Sequence, residues 1–148
     1  MDYLSPAIIA GDKIFMVPNA TLYEFGVMIS NVHMAWMRAV CGRLEMRYSY
    51  SNTIVYNNFP WPESSEVQRA AIERTAQGIL DARARYPDAS LADLYDELTM
   101  PPDLRRAHQE NDKAVMTAYG WNWRSMTESD CVAELMKRYQ KLAAAADR

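Results

Sequence analysis

The side chains best suited to chemistry lie in one string, GRLEMRYSYSNTIVYNNFPWP, at residues 42–62. Within it, residues 44–50 alternate. Leu44, Met46, Tyr48 and Tyr50 fall on one side of the pattern, Glu45, Arg47, Ser49 and Ser51 on the other. Period two is the signature of a half-exposed strand. On such a strand Glu45, Arg47 and Ser49 form a row of polar heads ~6.5–7 Å apart. Two chemistries suit that row. Glu45 and Arg47 can be solvated surface charges whose pairing is worth roughly 0–1 kcal/mol. Alternatively the row faces DNA. Arginine then pairs with guanine O6 and N7 while a carboxylate accepts from cytosine N4, each good match giving about 1–3 kcal/mol of discrimination. Glu45 and Arg47 would together read one G·C pair. Arg43, Tyr48, Ser51 and Asn52 would hold phosphates, contacts that position a protein without specifying sequence.

Other chemistries lack their residues. There is no Gly-x-Ser-x-Gly for a serine hydrolase, and no Walker or GxGxxG string for a nucleotide. Lys13 is the only lysine before residue 63, and Asp12 beside it does not make a nuclease motif. The string Asn57-Asn58-Phe59-Pro60-Trp61 is only superficially like the Asn-Pro-Pro-Tyr motif of amino-methyltransferases. It lacks the doubled proline, and Phe59 intervenes. Cys41 and Cys131 have no metal-ligand spacing and are expected to be reduced, buried thiols. No catalytic residue, metal site or cofactor site is expected in this stretch of polypeptide.

The elements that must position the string follow from periodicity and caps. The 148 residues, 49% of them hydrophobic, suffice for one domain, or for one small domain and part of another. No apolar run reaches the ~20 residues that span a bilayer, and no signal peptide is expected. The formal charge of −3 argues against a generic basic nucleic-acid surface. Residues 1–62 carry four basic and four acidic side chains, so the acidic excess lies wholly in the remainder.

The chain opens as if in mid-domain, and is expected to be part of a longer protein. Residues 6–10 and 13–17 read as short strands split by Gly11-Asp12. Thr21-x-x-Glu24 is a capping box. It opens one long helix with Leu22, Phe25, Ile29, Val32 and Trp36 on its buried stripe and Gly42 as a left-handed terminator. His33 inside it reads as a hydrogen-bonded core or interface histidine in preference to a catalytic one. Residues 53–56 read as another short strand, and Phe59, Pro60, Trp61 and Pro62 as a rigid junction. Helices are then expected over residues 63–86, after Ser90-x-x-Asp93, from Pro101-Pro102-Asp103 to about Ala118, and after Thr127-x-x-Asp130. The expected fold class is α+β, mainly α: short β strands in residues 1–62, then a small helical bundle in residues 63–148.

The string at residues 22–62 closely resembles the end of the target-recognition domain of large bacterial DNA methyltransferases of the MmeI type. Residues 79–120 resemble the C-terminal helical domain that follows it in those proteins. NNFPWP and LADLYD…MPPDLR are the distinctive parts. The resemblance implies a parent enzyme of restriction–modification that uses S-adenosylmethionine to methylate adenine N6 in a specific site, sometimes with a fused nuclease. Its cofactor-binding and Asn-Pro-Pro-Tyr motifs would lie upstream. Glu45, Arg47 and Ser49 match the family's base-specifying positions. The implied partners are double-stranded DNA and the rest of the same polypeptide, in the cytoplasm and away from membranes. A competing reading stays open: a helical protein-interaction or scaffold module, suggested by the amphipathic helices and by methionines that adapt to varied partners.

Overall fold

A computed structural model of the chain describes residues 1–11, 14–44, 47–49 and 52–148, with residues 42–44, 47–49, 52 and 53 described by their backbone. The fold is mainly α. Helices α1 (Leu22–Ile29) and α2 (Asn31–Val40) lead into β1 (Gly42–Leu44) and β2 (Arg47–Ser49). A π-helical turn follows at Asn52–Tyr56, then α3 (Glu66–Ala84), the short α4 (Leu91–Leu94), α5 (Pro102–Ala118) and α6 (Glu128–Ala146). None of these helices is long and apolar enough to cross a membrane.

Local chemistry starts and stops most of them. Thr21 with Glu24, Ser90 with Asp93 and Thr127 with Asp130 form the three anticipated capping boxes. Each exchanges a side chain for a backbone N–H that the first turn leaves unpaired. A fourth box, Ser65 with Gln68, delays α3 to residue 66. Pro102 opens α5, where a missing N–H costs nothing. Gly120, at φ 78°, takes the left-handed turn that ends it.

Where one long helix was expected there are two. Ser30 sits in extended backbone (φ −68°, ψ 155°), as C-cap of α1 and N-cap of α2. Its hydroxyl donates to the Val27 carbonyl at 2.6 Å and accepts from the His33 N–H at 3.3 Å. Serine thereby offers the backbone an alternative to the helical ladder. The break lets α1 lie along α3 while α2 turns toward α6. Nor does Gly42 cap α2: Cys41 does, in extended conformation, and Gly42 opens β1.

The expected β content needs the larger correction. Residues 6–10 and 53–56 form no strand, and of residues 13–17 those described form none either. Ile8, Ile9, Ile14 and Met16 are exposed there, since isolated strands without a sheet to join do not hold. Residues 53–56 lie in the π-helical turn. Regular strand among the described residues is one two-stranded hairpin.

The core runs across the junction between the two halves of the chain. Tyr23, Val27, Trp36, Val55 and Phe59 from the first half pack with Ile72, Val115, Tyr119 and Leu135 from the second. A second cluster joins Phe25 and Ile29 to Ala76, Ile79, Leu94 and Leu104. Phe59 and Pro60 are buried at the seam. The Tyr119 hydroxyl donates to the Pro60 carbonyl at 2.7 Å, and the Tyr119 ring stacks on Trp121, centroids 4.4 Å apart. Trp61 packs by its ring on Tyr23, Tyr56 and Phe59. The aromatic-proline string therefore acts as packing.

Candidate nucleic-acid interface

The hairpin leaves the end of α2. Its strands are antiparallel, with Gly42 opposite Ser49, Arg43 opposite Tyr48 and Leu44 opposite Arg47. Leu44 and Arg47, expected on one strand, are thus partners across two strands, while residues 45, 46 and 50 of the expected strand lie outside the described residues. In antiparallel pairs, directly opposed positions share a face and successive ones alternate. Positions 43 and 48 therefore share one face of the hairpin, and positions 42, 44, 47 and 49 the other. A period-2 pattern is legible in either arrangement, but a continuous strand would have put 44 and 47 on opposite faces. Arg47 and Ser49 remain two apart on β2, on one face. Positions 43 and 48 are opposed in register on the reverse. Glu45 and Ser51 lie outside the described residues, and Asn52 opens the π-helical turn.

The hairpin is held at both of its roots by α2. On the entering side, the Cys41 N–H donates to the Met37 carbonyl at 2.9 Å. On the returning side, the Trp36 indole N–H donates to the Val55 carbonyl at 3.0 Å, in a buried setting. Trp36 is 2% exposed and Val55 fully buried. The indole lies against Phe59 and Tyr139, centroids 6.2 and 6.0 Å away. Indole suits this place because it fills core volume and still carries one donor that must be satisfied.

Two polar contacts fix α2 itself. Near its end, Arg38 makes a fork to Glu128 in the first turn of α6, with Nε to Oε1 at 2.8 Å and Nη2 to Oε2 at 3.0 Å. At its start, Asp112 of α5 accepts from the Asn31 backbone N–H at 2.8 Å and from the Asn31 amide at 2.7 Å. Burial pushes the Asp112 carboxyl above its ordinary range, and the Asn31 bonds oppose that rise. His33 is 1% exposed with its ring edge on Phe59, centroids 4.6 Å apart. Burial lowers its imidazole to about 4, so it is neutral at physiological pH. Deep in the core, it is no surface acid or base.

Sequence reasoning identified the hairpin residues but not their supports. Trp36 was legible as core, and its indole N–H signalled that an acceptor had to exist. Arg38 carried no mark in the sequence. Nor did Asp112, a carboxylate in mid-helix whose partner lies 81 residues away.

The hairpin is thus anchored at both ends to the helical body. The chain belongs to the MmeI family: residues 1–63 match the MmeI target recognition domain and residues 64–146 the MmeI C-terminal domain. The chain is 36% identical to DNA methyltransferase A of Bacillus subtilis (strain 168) over 134 residues, which is 90% of this chain and 15% of that protein. Its structure is similar to that of the type IIL restriction-modification enzyme MmeI in complex with DNA, with a TM-score of 0.81 and 49% identity over 86% of this chain. The chain spans 17% of that enzyme.

Proposed function

We propose that this chain is the sequence-recognition and C-terminal helical segment of a cytoplasmic, site-specific DNA adenine-N6 methyltransferase of restriction–modification. It contributes base readout and DNA positioning, and the catalytic centre lies elsewhere in the longer polypeptide. The observation that carries this reading is the rooted hairpin, in a chain that belongs to the MmeI family and resembles a structure solved with DNA. Residues 1–62 would be the C-terminal part of the target-recognition domain and residues 63–148 the C-terminal helical domain that supports it, the two sharing one core.

Glu45, Arg47 and Ser49 are the base-reading residues in this proposal, Arg47 and Ser49 from one face of β2. Arg43, Tyr48, Ser51 and Asn52 hold the DNA backbone. The division of the hairpin into two faces supports the split for Arg43 and Tyr48 against Arg47 and Ser49. A surface that makes a few such contacts needs no basic excess, which accommodates a chain of net charge −3.

S-adenosylmethionine is assigned to the parent enzyme. Two surface grooves here, one along Arg85, Pro87 and Asp93 and one along Gln109, Lys113 and Trp123, are open to solvent. Neither offers a glycine-rich turn at a helix start, the usual cradle of a nucleotide-like cofactor. The residues lining these two grooves do not fit the cofactor.

The test is an exchange of the reading pair in the full-length enzyme. Glu45→Lys combined with Arg47→Asp should change the preferred base pair at one position of the methylated site, scored by methyl transfer to a panel of duplexes. An unchanged site with lower activity throughout refutes the readout.

A further inference from the structure

We infer that Trp36 is a positioning residue for sequence readout, setting the pose of the hairpin through its bond to the Val55 carbonyl. The inference rests on the reading of the hairpin as the DNA-facing element and adds a residue that does not itself meet DNA. Three features carry it. First, the excursion from α2 returns at Val55, and the Trp36 indole N–H is the side-chain donor that meets the Val55 carbonyl there, at 3.0 Å. Second, the return is made by a π-helical turn, Asn52–Tyr56, a wide and rare form that recurs at functional sites. A carbonyl on such a turn depends on a partner outside the ladder to hold its direction. Third, Trp36 itself has no freedom: it is 2% exposed, between Phe59 and Tyr139. Its donor is therefore a fixed point of the core, and the hairpin's exit is referred to it. The entrance is fixed from the same helix by Met37, one residue on.

Bidentate base contacts are sensitive to the pose of the element that presents them, because a readout side chain must meet two base atoms at once. Loss of the indole donor should therefore weaken discrimination more than it weakens binding in general. A residue that merely stabilises the fold would behave otherwise. Its loss would lower methylation of every duplex by the same factor and leave the ratio between cognate and near-cognate duplexes intact.

The experiment measures kcat/KM of the full-length enzyme on the cognate duplex and on three duplexes altered at the base pair read by Arg47. Four forms are compared: wild type, Arg47→Ala, Trp36→Phe and Val115→Ala. Val115→Ala disturbs the same core cluster and keeps the indole and the two rings against it. The expected result is that Trp36→Phe lowers the cognate to near-cognate ratio about tenfold, the scale of one good base contact. Val115→Ala should lower all four rates together. An unchanged ratio in Trp36→Phe, while Arg47→Ala relaxes it, overturns the positioning role and spares the readout. An unchanged ratio in Arg47→Ala overturns the readout itself. If Trp36→Phe does not fold, benzothienylalanine at position 36 keeps the ring shape and removes only the donor. The same loss of ratio is then required, and an unchanged ratio refutes the proposal.

Discussion

A methyl group at Gly26 has nowhere to go. A Cβ there would lie 2.6 Å from Cγ2 of Ile72, 3.1 Å from Oδ1 of Asn111 and 3.2 Å from Cβ of Ala76. The first of these belongs to a β-branched side chain at 0% exposure, which cannot swing aside. Glycine is needed here for the close approach of α1 to α3, and the same approach lets the Asn111 amide donate to the Gly26 carbonyl at 2.8 Å. Gly26→Ala is therefore expected to cost about 1–3 kcal/mol through overpacking, despite the better helix propensity of alanine. Urea titration followed by far-UV circular dichroism measures it; a stability gain would show that α1 can shift. His33 provides a second residue-scale expectation. Its imidazole sits at about 4 in the fold against an ordinary value of 6.5, because burial disfavours the cation. The stabilising effect of a neutral His33 is complete above about pH 6.5 and is lost as pH falls toward 4, where the unfolded chain takes up the proton first. Stability should drop by about 1–2 kcal/mol between roughly pH 7 and 5.5 from this group. His108, also lowered to about 4 by burial and by Arg83, acts in the same direction. Asp112, raised by burial, acts in the opposite one. His33→Gln should flatten the slope of stability against pH without abolishing it, and an unchanged slope would contradict the assignment.

At the scale of elements, what could be read from the sequence is what neighbours within three or four residues decide. The capping boxes at Thr21, Ser90 and Thr127, the proline start of α5 and its glycine stop are all local, and all formed. The break at Ser30 was hidden because the apolar stripe continues through it: Ile29 and Val32 are both buried, and only the direction of the backbone changes. What holds α2 in its new direction is Asp112, on another helix. Its carboxylate takes a free N–H at the first residue of α2, which is a favourable place for negative charge. Asp112→Ala should cost about 0.5–1.5 kcal/mol, the net worth of the hydrogen bonding to Asn31, whose exposed donors can turn to water. Asn31→Ala should cost less, and the double variant should fall short of the sum by about 0.5 kcal/mol if the two act as a pair. Strict additivity in denaturant titrations would mean that the break is made by Ser30 alone. The hairpin was legible as strand chemistry but not as a hairpin. Alternation fits both forms, and the register that separates them is a relation between strands.

At the scale of the whole molecule, two sequence-family segments share one interior. The division near residue 63 is where the match to the MmeI target recognition domain gives way to the match to the MmeI C-terminal domain. Physically, α1 rests on α3, α2 on α6, and Val27, Trp36 and Phe59 occupy the same cluster as Ile72, Val115 and Leu135. Polar contacts cross the seam too, from Tyr119 to the Pro60 carbonyl and from Arg38 to Glu128. The hairpin of β1 and β2 gains from this. Its roots lie in a core with contributions from both segments, so local opening at its base would have to break contacts of the helical body as well. Cooperative unfolding follows. Near-UV ellipticity, sensitive to Trp36 and Trp61, and far-UV helix signal should fall in a single coincident urea transition. Residues 64–148 expressed without the first segment should lose that cooperativity, because Ile72, Val115 and Leu135 would face water where Val27, Trp36 and Phe59 had been. Two separate transitions in the intact chain, with the aromatic signal lost first, would show that the segments fold independently and that the hairpin is carried by the first alone.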